Sequence, residues 1–283
     1  MTLSTPIREA IAGFAAGTIS CGLLHPFDLV KTRLQLNALR KFHPSGLRML
    51  KNIWQSEGGM RGIYRGMSAS LAGATAWWSS YFGWYAIFKE HVQLFDMGPV
   101  KHFAAAAQAG LLTAAITNPL WVIKVRMCAT RATDTGAYNS VIDGLARTFR
   151  REGFRGLYKG TFPAMLGVGN GALQLAAYEE LKKRRRRLHP AADAVGTAEY
   201  AAMAAASKVF ASAFTYPLQV VRARMQWRMA DVGGFIETAV SALRNEGPGA
   251  LYKGFGIHIC RVVPGAAVTF GVYEGVNHAL KAD

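Results

Sequence analysis

Charged and apolar positions alternate along this chain in long blocks, not at the two-residue period of a strand. Residues 10–27, 67–88, 102–123 and 160–178 run for 18, 22, 22 and 19 residues without a formal charge, histidines counted as neutral. A helix needs about 20 mostly apolar residues to cross a bilayer, so these blocks predict four membrane spans. Four such helices exceed what a soluble core of this size can cover. Beyond residue 180 the pattern weakens, because Lys208 interrupts one apolar segment and Arg261 another.

Internal repetition restores the weak part. Pro26-x-Asp28-x-x-Lys31-x-Arg33 returns as Pro119-x-Trp121-x-x-Lys124-x-Arg126 and as Pro217-x-Gln219-x-x-Arg222-x-Arg224, the prolines 93 and 98 residues apart. A second motif follows each copy. It opens on Glu57-Gly58, Glu152-Gly153 and Glu246-Gly247, and closes on Tyr64-Arg65-Gly66, Tyr158-Lys159-Gly160 and Tyr252-Lys253-Gly254, the tyrosines 94 apart. Each unit reads as span, short amphipathic segment, span. The third inherits spans near 198–227 and 257–280 from its siblings. The units divide the chain at 1–97, 98–190 and 191–283. Six helices in three equal units predict a pseudo-threefold ring of tilted spans around a central cavity. The fold class is therefore an all-α membrane protein.

Composition narrows the function. The 283 residues are 51% hydrophobic and 18% charged, and 33 Lys and Arg against 17 Asp and Glu leave +16. Such a surplus suits anionic lipid, an anionic small molecule or nucleic acid. The sharpest basic run, residues 182–187, follows a span directly, so lipid headgroups are its simpler partner and nucleic acid is not expected. Cys21, Cys128 and Cys260 lie far apart and form no metal pattern, and the seven histidines build no linked triad. No metal, no cofactor and no enzymatic chemistry are expected.

The prolines sit inside odd-numbered spans. Proline removes a helical hydrogen bond and bends the chain, so Pro26, Pro119 and Pro217 predict kinks that close one end of the cavity. The polar pattern continues past them at helical spacing, Gln35 four residues after Lys31 and Gln226 four after Arg222. Ionisable residues inside spans are costly and usually functional, which singles out Lys208 and Arg261. Asn170 and Gln174 share a helical face. Trp78 and Trp121 offer rings for stacking.

These two motifs, three times in register, resemble the mitochondrial carrier family over nearly the whole chain. The segments 119–124, 216–224 and 171–182 are similar to its FAD/folate subgroup. The resemblance implies alternating-access transport of FAD or folate, as cargo and not as cofactor, by a functional monomer in the mitochondrial inner membrane. A peroxisomal or plastid membrane is the other location, and an NAD or pyrimidine-nucleotide carrier the alternative function. It also implies a matrix gate at Asp28, Lys31, Lys124, Gln219 and Arg222, with Gln35 and Gln226 beside it and the short amphipathic helices on the matrix side. Only Asp28 is acidic. Its implied partner is Arg222, which leaves Lys31 and Lys124 without acids. At the cytosolic side Lys89 is expected to meet Glu179, and Lys182 to meet Glu274. The family's substrate-facing positions fall on Gly73, Leu166 and Arg261, to which Lys208, Asn170, Gln174 and Trp121 are added. Cardiolipin is expected at Tyr64, Arg65, Gly66, Tyr158, Lys159, Gly160, Tyr252, Lys253 and Gly254.

Overall fold

The computed structural model describes residues 5–36, 45–92, 100–188, 197–227 and 233–262 together with 264, 265, 268, 271 and 272, and side chains within these except at 5–14, 91, 92, 100, 101, 197 and 198. Among the described residues the chain is all-α. Long helices α1 (Thr5–Leu36), α5 (Val100–Ala129) and α9 (Thr197–Trp227) open the three units. Each runs through its proline, Pro26, Pro119 or Pro217. The even positions are filled by α4 (Met67–Val92), by α7 (Thr161–Gly167) with α8 (Gly169–Leu188), and by a last helix, α11, that starts at residue 255. Between them lie α2 (Gly46–Ser56), α3 (Met60–Ile63), α6 (Val141–Leu157) and α10 (Phe235–Glu246).

Helix α6 shows why the short elements form where they do. Ser140 caps it, its hydroxyl accepting from the Asp143 N–H at 3.1 Å, and Asp143 puts negative charge on the first turn. One face, carrying Gly144 and Thr148, is buried and the other is solvated. Helices α2 and α10 are amphipathic in the same way, burying Ile53 and Thr238 with Ala242.

Hydroxyl side chains lie inside the long apolar helices, and bonds to their own helix satisfy several of them. Thr117 Oγ1 donates to the Thr113 carbonyl at 2.8 Å, Thr215 Oγ1 to Ala211 at 2.9 Å and Ser207 Oγ to Met203 at 2.9 Å. These polar residues thin the hydropathy. Among the described helices, only 102–129 is long and apolar enough to cross a membrane by length and composition alone. The repeat, not hydropathy, is what defines the others.

The core lies at one end, where the odd helices pass their prolines. Among the largest fully buried side chains are Arg126, Tyr216, Leu29, Ile123, His25 and Gln226, all from these three helices. Elsewhere Ile19, Leu23, Phe103, Phe210 and Phe214 stay exposed, an outward apolar surface suited to lipid.

Three sets of bonds repeat at this end. The second base of each signature, an arginine, grips the glutamate of its own unit in a two-pronged pair: Arg33 with Glu57 at 2.5 and 2.8 Å, Arg126 with Glu152 at 2.5 and 2.9 Å, Arg224 with Glu246 at 2.6 and 2.9 Å. The same arginines donate Nε to the next odd helix: Arg33 to the Cys128 carbonyl (2.9 Å), Arg126 to Gln226 (3.0 Å) and Arg224 to Gln35 (3.1 Å). The ring closes on itself. Each guanidinium caps a helix end whose last carbonyls would otherwise lack donors. The residue before each proline supplies the third set. His25 bonds the Arg65 carbonyl (3.0 Å), Asn118 that of Lys159 (3.1 Å) and Tyr216 that of Lys253 (2.9 Å).

Gly66, Gly160 and Gly254 follow those carbonyls with φ of 81°, 75° and 82°. Each also backs onto the next odd helix. A Cβ would lie 2.8 Å from Cys128 Sγ, 3.0 Å from Gln226 Cγ or 3.3 Å from Leu34 Cβ. Conformation and contact both require glycine there.

Candidate functional site

The first base of each signature points inward, one turn from the prolines. Asp28 Oδ2 meets Lys124 Nζ at 3.5 Å, joining α1 to α5. Lys31 Nζ donates to Gln219 Oε1 at 2.9 Å, joining α1 to α9. The Arg222 guanidinium lies over the Trp121 ring at 5.9 Å, joining α9 to α5, and Lys124 Nζ lies over the same ring at 5.0 Å. All three seams are therefore bridged, by an ion pair, a hydrogen bond and a cation–π contact. This corrects the expected pairing. Asp28 takes Lys124 and not Arg222, because each acid-position residue faces the base of the next odd helix. Lys124 thus has its carboxylate, and Lys31 a neutral acceptor in place of one.

Arg261 joins this gate. Its Nε is 2.8 Å from Asp28 Oδ1, an ion-pair distance, though the N–H is not aligned for a hydrogen bond. Gln35 and Gln226 are buried but brace no gate base. Gln35 lends its carbonyl to Arg224, and Gln226 donates from Nε2 to Asn118 Oδ1 at 3.2 Å.

A cavity of about 250 Å³ lies against the gate, between α4, α5, α7, α8 and α9. Trp77, Trp121, Asn170, Thr215, Gln219 and Arg222 help to line it. Lys208 stands behind this wall, half-buried. Its Nζ donates to Gln174 Oε1 at 3.0 Å and reaches Asn170 Oδ1 at 3.4 Å, while Asn170 Nδ2 donates to Thr215 Oγ1 at 2.7 Å. Among the described residues no carboxylate lies within ion-pair distance of Lys208.

Other expected site residues are placed differently. Gly73 lies beside a protein ring: a Cβ there would rest in ordinary contact, 3.7 Å from the Trp121 indole. Leu166 is exposed and does not line the cavity, whereas its neighbours Gly167 and Val168 do. Trp78 is exposed and faces away from it, 100° round the helix from Trp77, which does line it. Trp77 and Thr215 are what sequence reading missed. The spacing held the signal, since Trp77 is four residues after Gly73 and so shares its face.

At the opposite end Lys89 and Glu179 form no ion pair. Glu179 instead meets Lys182 of its own helix at 4.0 Å. Glu274 lies outside the described residues. Arg185, from the basic run, clasps Glu199 of α9 at 2.8 and 3.1 Å. With one end bridged on all three seams and the Lys89–Glu179 link unmade, the cavity is closed at the proline end.

The Tyr-base-Gly triplets are largely committed to protein. Tyr64 stacks on His25 at 5.9 Å and Tyr252 on Tyr216 at 6.3 Å. Lys159 pairs with Glu152 at 2.8 Å, Lys253 pairs with Glu246, and Arg65 donates to the Thr130 carbonyl at 2.6 Å. Tyr158 is exposed.

The family model described as "Mitochondrial carrier protein" matches this chain three times, over residues 3–96, 95–188 and 193–283. The chain belongs to the mitochondrial carrier family. It is 34% identical to the mitochondrial FAD carrier protein of Saccharomyces cerevisiae, over 98% of both chains. It is 35% identical to the chloroplastic folate transporter 1 of Arabidopsis thaliana, over 99% of this chain and 98% of that one. Against the mitochondrial nicotinamide adenine dinucleotide transporter 2 of the same plant the figures are 36%, 95% and 79%. These relatives are transporters, and the all-α, three-unit architecture is that of a membrane carrier. The resemblance to the FAD/folate subgroup read from the motifs agrees with these similarities.

Proposed function

We propose that this carrier moves an anionic metabolite with a flat heterocycle, FAD or a folate, across the mitochondrial inner membrane by alternating access. The observation that carries the reading is Lys208. It is a cation inside a span, held among the described residues by neutral oxygens, and one hydrogen bond from the wall of a cavity that Trp121 also lines. A cation in that setting gains most when an anion arrives beside it. The gate adds to the field. Lys124 and Arg261 flank the Asp28 carboxylate, and Lys31 and Arg222 stand on the other two seams.

The geometry also suggests how binding is coupled to opening. Asp28 is shared between Lys124 and Arg261. An anion that draws Arg261 away leaves Asp28 with Lys124 alone, so the contact between α1 and α11 loosens while cargo is present. Asn170 and Thr215 supply hydrogen-bonding groups for the heterocycle, and Trp121 a ring to stack on.

The chain works as a monomer in this reading, since one copy completes the ring of units. Anionic lipid, cardiolipin in this family, occupies the helix starts after Gly66, Gly160 and Gly254 through backbone N–H groups, because Lys159 and Lys253 already serve glutamates. An NAD or pyrimidine-nucleotide carrier is the second reading, favoured by the similarity to the plant nicotinamide adenine dinucleotide transporter. Uptake into liposomes of FAD, FMN, riboflavin, tetrahydrofolate, NAD and nucleotides decides between them. Transport of small dicarboxylates or phosphate alone overturns both.

A further inference from the structure

Helix α4 carries a stack of rings that none of the foregoing roles uses. Trp77 and Tyr81 are parallel, with centroids 5.2 Å apart and planes at 5°, and Tyr81 stacks on Tyr85 at 6.1 Å and 9°. The four-residue spacing places all three on one side of the helix. Trp78 braces them edge-on, 4.9 Å from Trp77 at 89° and 6.3 Å from Tyr81 at 88°. One face of Trp77 is thus covered by Tyr81 and one edge by Trp78. Among the described residues no other ring covers its second face, and that indole lines the same cavity as Trp121 and Asn170. One turn below, Gly73 leaves the Trp121 ring uncovered by any side chain of its own.

We infer that Trp77 is the cargo's stacking residue, the wall opposite Trp121 against which a planar nitrogen heterocycle lies. Tyr81 and Tyr85 are positioning residues that hold its plane. A ring held on one face and one edge loses little freedom when a ligand stacks on its other face. Trp121 already has Lys124 and Arg222 over its ring, whereas among the described residues Trp77 carries no cation. Trp77 is therefore the better platform for a neutral heterocycle, and the cations beyond it take the anionic tail. This rests on the reading that the cargo has a flat ring.

The test is transport kinetics in proteoliposomes with Trp77→Ala, Trp77→Phe and Tyr81→Ala, each checked for its unfolding midpoint in detergent. Aromatic stacking on a base predicts a rise in KM of about tenfold for Trp77→Ala, with kcat changed less. Trp77→Phe should recover part of it, and Tyr81→Ala should raise KM by a smaller factor. Two inhibitors separate ring from tail. Riboflavin, a ring without phosphate, should lose about tenfold in potency against Trp77→Ala, and pyrophosphate should lose none. If riboflavin inhibits the wild type and Trp77→Ala equally, the inference is overturned while the carrier reading stands. If the wild type carries NAD or a nucleotide but neither FAD nor folate, the cargo assignment falls and the Trp77 variants are read on that cargo. If the wild type carries no flat-ring anion, both fall. Should Trp77→Ala not fold, Trp77→Phe and riboflavin potency decide alone.

Discussion

Arg261 Nε lies 2.8 Å from Asp28 Oδ1, on a carboxylate whose other oxygen holds Lys124 at 3.5 Å. A residue of the last helix, placed by its motif among the cargo contacts, is therefore also a gate partner. Arg261→Ala should abolish or strongly reduce uptake while the protein still inserts and folds, because Lys124 keeps Asp28 paired. Arg261→Lys should restore part of the rate, since lysine keeps the charge and loses the planar fork. Asp28→Asn differs. It strands Lys124 and Arg261 together, and removing one partner from a buried pair costs about 3–5 kcal/mol. A thermal unfolding comparison of the two variants checks this: Asp28→Asn must fall further than Arg261→Ala.

The α1–α9 seam is held by a neutral bond, Lys31 Nζ to Gln219 Oε1 at 2.9 Å. Gln219→Glu changes almost no volume and turns that bond into an ion pair. The closed state should gain stability, seen as an unfolding midpoint a few degrees higher, at roughly 2–4 °C per kcal/mol or slightly less for a chain of this size. Turnover should slow, because the gate must break the same bond to open. An unchanged midpoint with unchanged uptake would show that this seam does not set the gate's strength.

How much of this was legible beforehand follows from where each signal lives. The three-unit architecture, the helices running through Pro26, Pro119 and Pro217, and the site at Lys208, Asn170 and Gln174 all rest on spacing within one helix or on repetition, which a sequence displays directly. The partners across helices do not. Asp28 with Lys124, and Arg222 over Trp121, depend on which way round the ring each seam faces, and one chain's spacing is the same for both directions. Gly73 is a related case, since the ring beside it, Trp121, stands on another helix. A missing side chain shows that space is needed but not whether a ligand or an indole fills it. Choosing Trp77 over Trp78 needed one more step of helical phase from Gly73.

Acid should loosen the proline end by a separate route. Burial alone would raise the Glu152 carboxyl, but hydrogen bonds from Arg126 and Lys159 outweigh it and hold the group below its ordinary value of 4.5. Glu246 is lowered likewise, with Arg224 and Lys253 outweighing its burial. A carboxylate with a depressed folded value contributes stability that is complete above the unfolded value and lost as pH falls through the folded one. The wild type should therefore lose stability below about pH 4.5 more steeply than Glu152→Gln, which is already neutral there. Near pH 7 the Gln variant should be the weaker by about 3–5 kcal/mol, since Arg126 is fully buried and keeps no carboxylate. Midpoints measured from pH 7 to about pH 2 must draw together below about pH 4.5; curves parallel throughout would mean that the pair contributes no pH-dependent stability.

Lys208 gives the clearest separation of fold from function. Among the described residues its ammonium is held by Gln174 and Asn170, at 3.0 and 3.4 Å, and both are neutral. A half-buried cation with no carboxylate costs free energy to keep in a span. Lys208→Met fills nearly the same volume and removes that charge, so the unfolding midpoint should hold or rise. The two amides then lose their donor, a smaller loss because each can turn to the other or to water in the cavity. Uptake of an anionic cargo should fall by at least tenfold, as the variant has lost the charge that draws the anion to the wall. Lys208→Arg should keep most of the binding. A Met variant that is stable and transports at the wild-type rate would remove Lys208 from the site, and the cargo's charge would then have to be met at Arg261 and the gate.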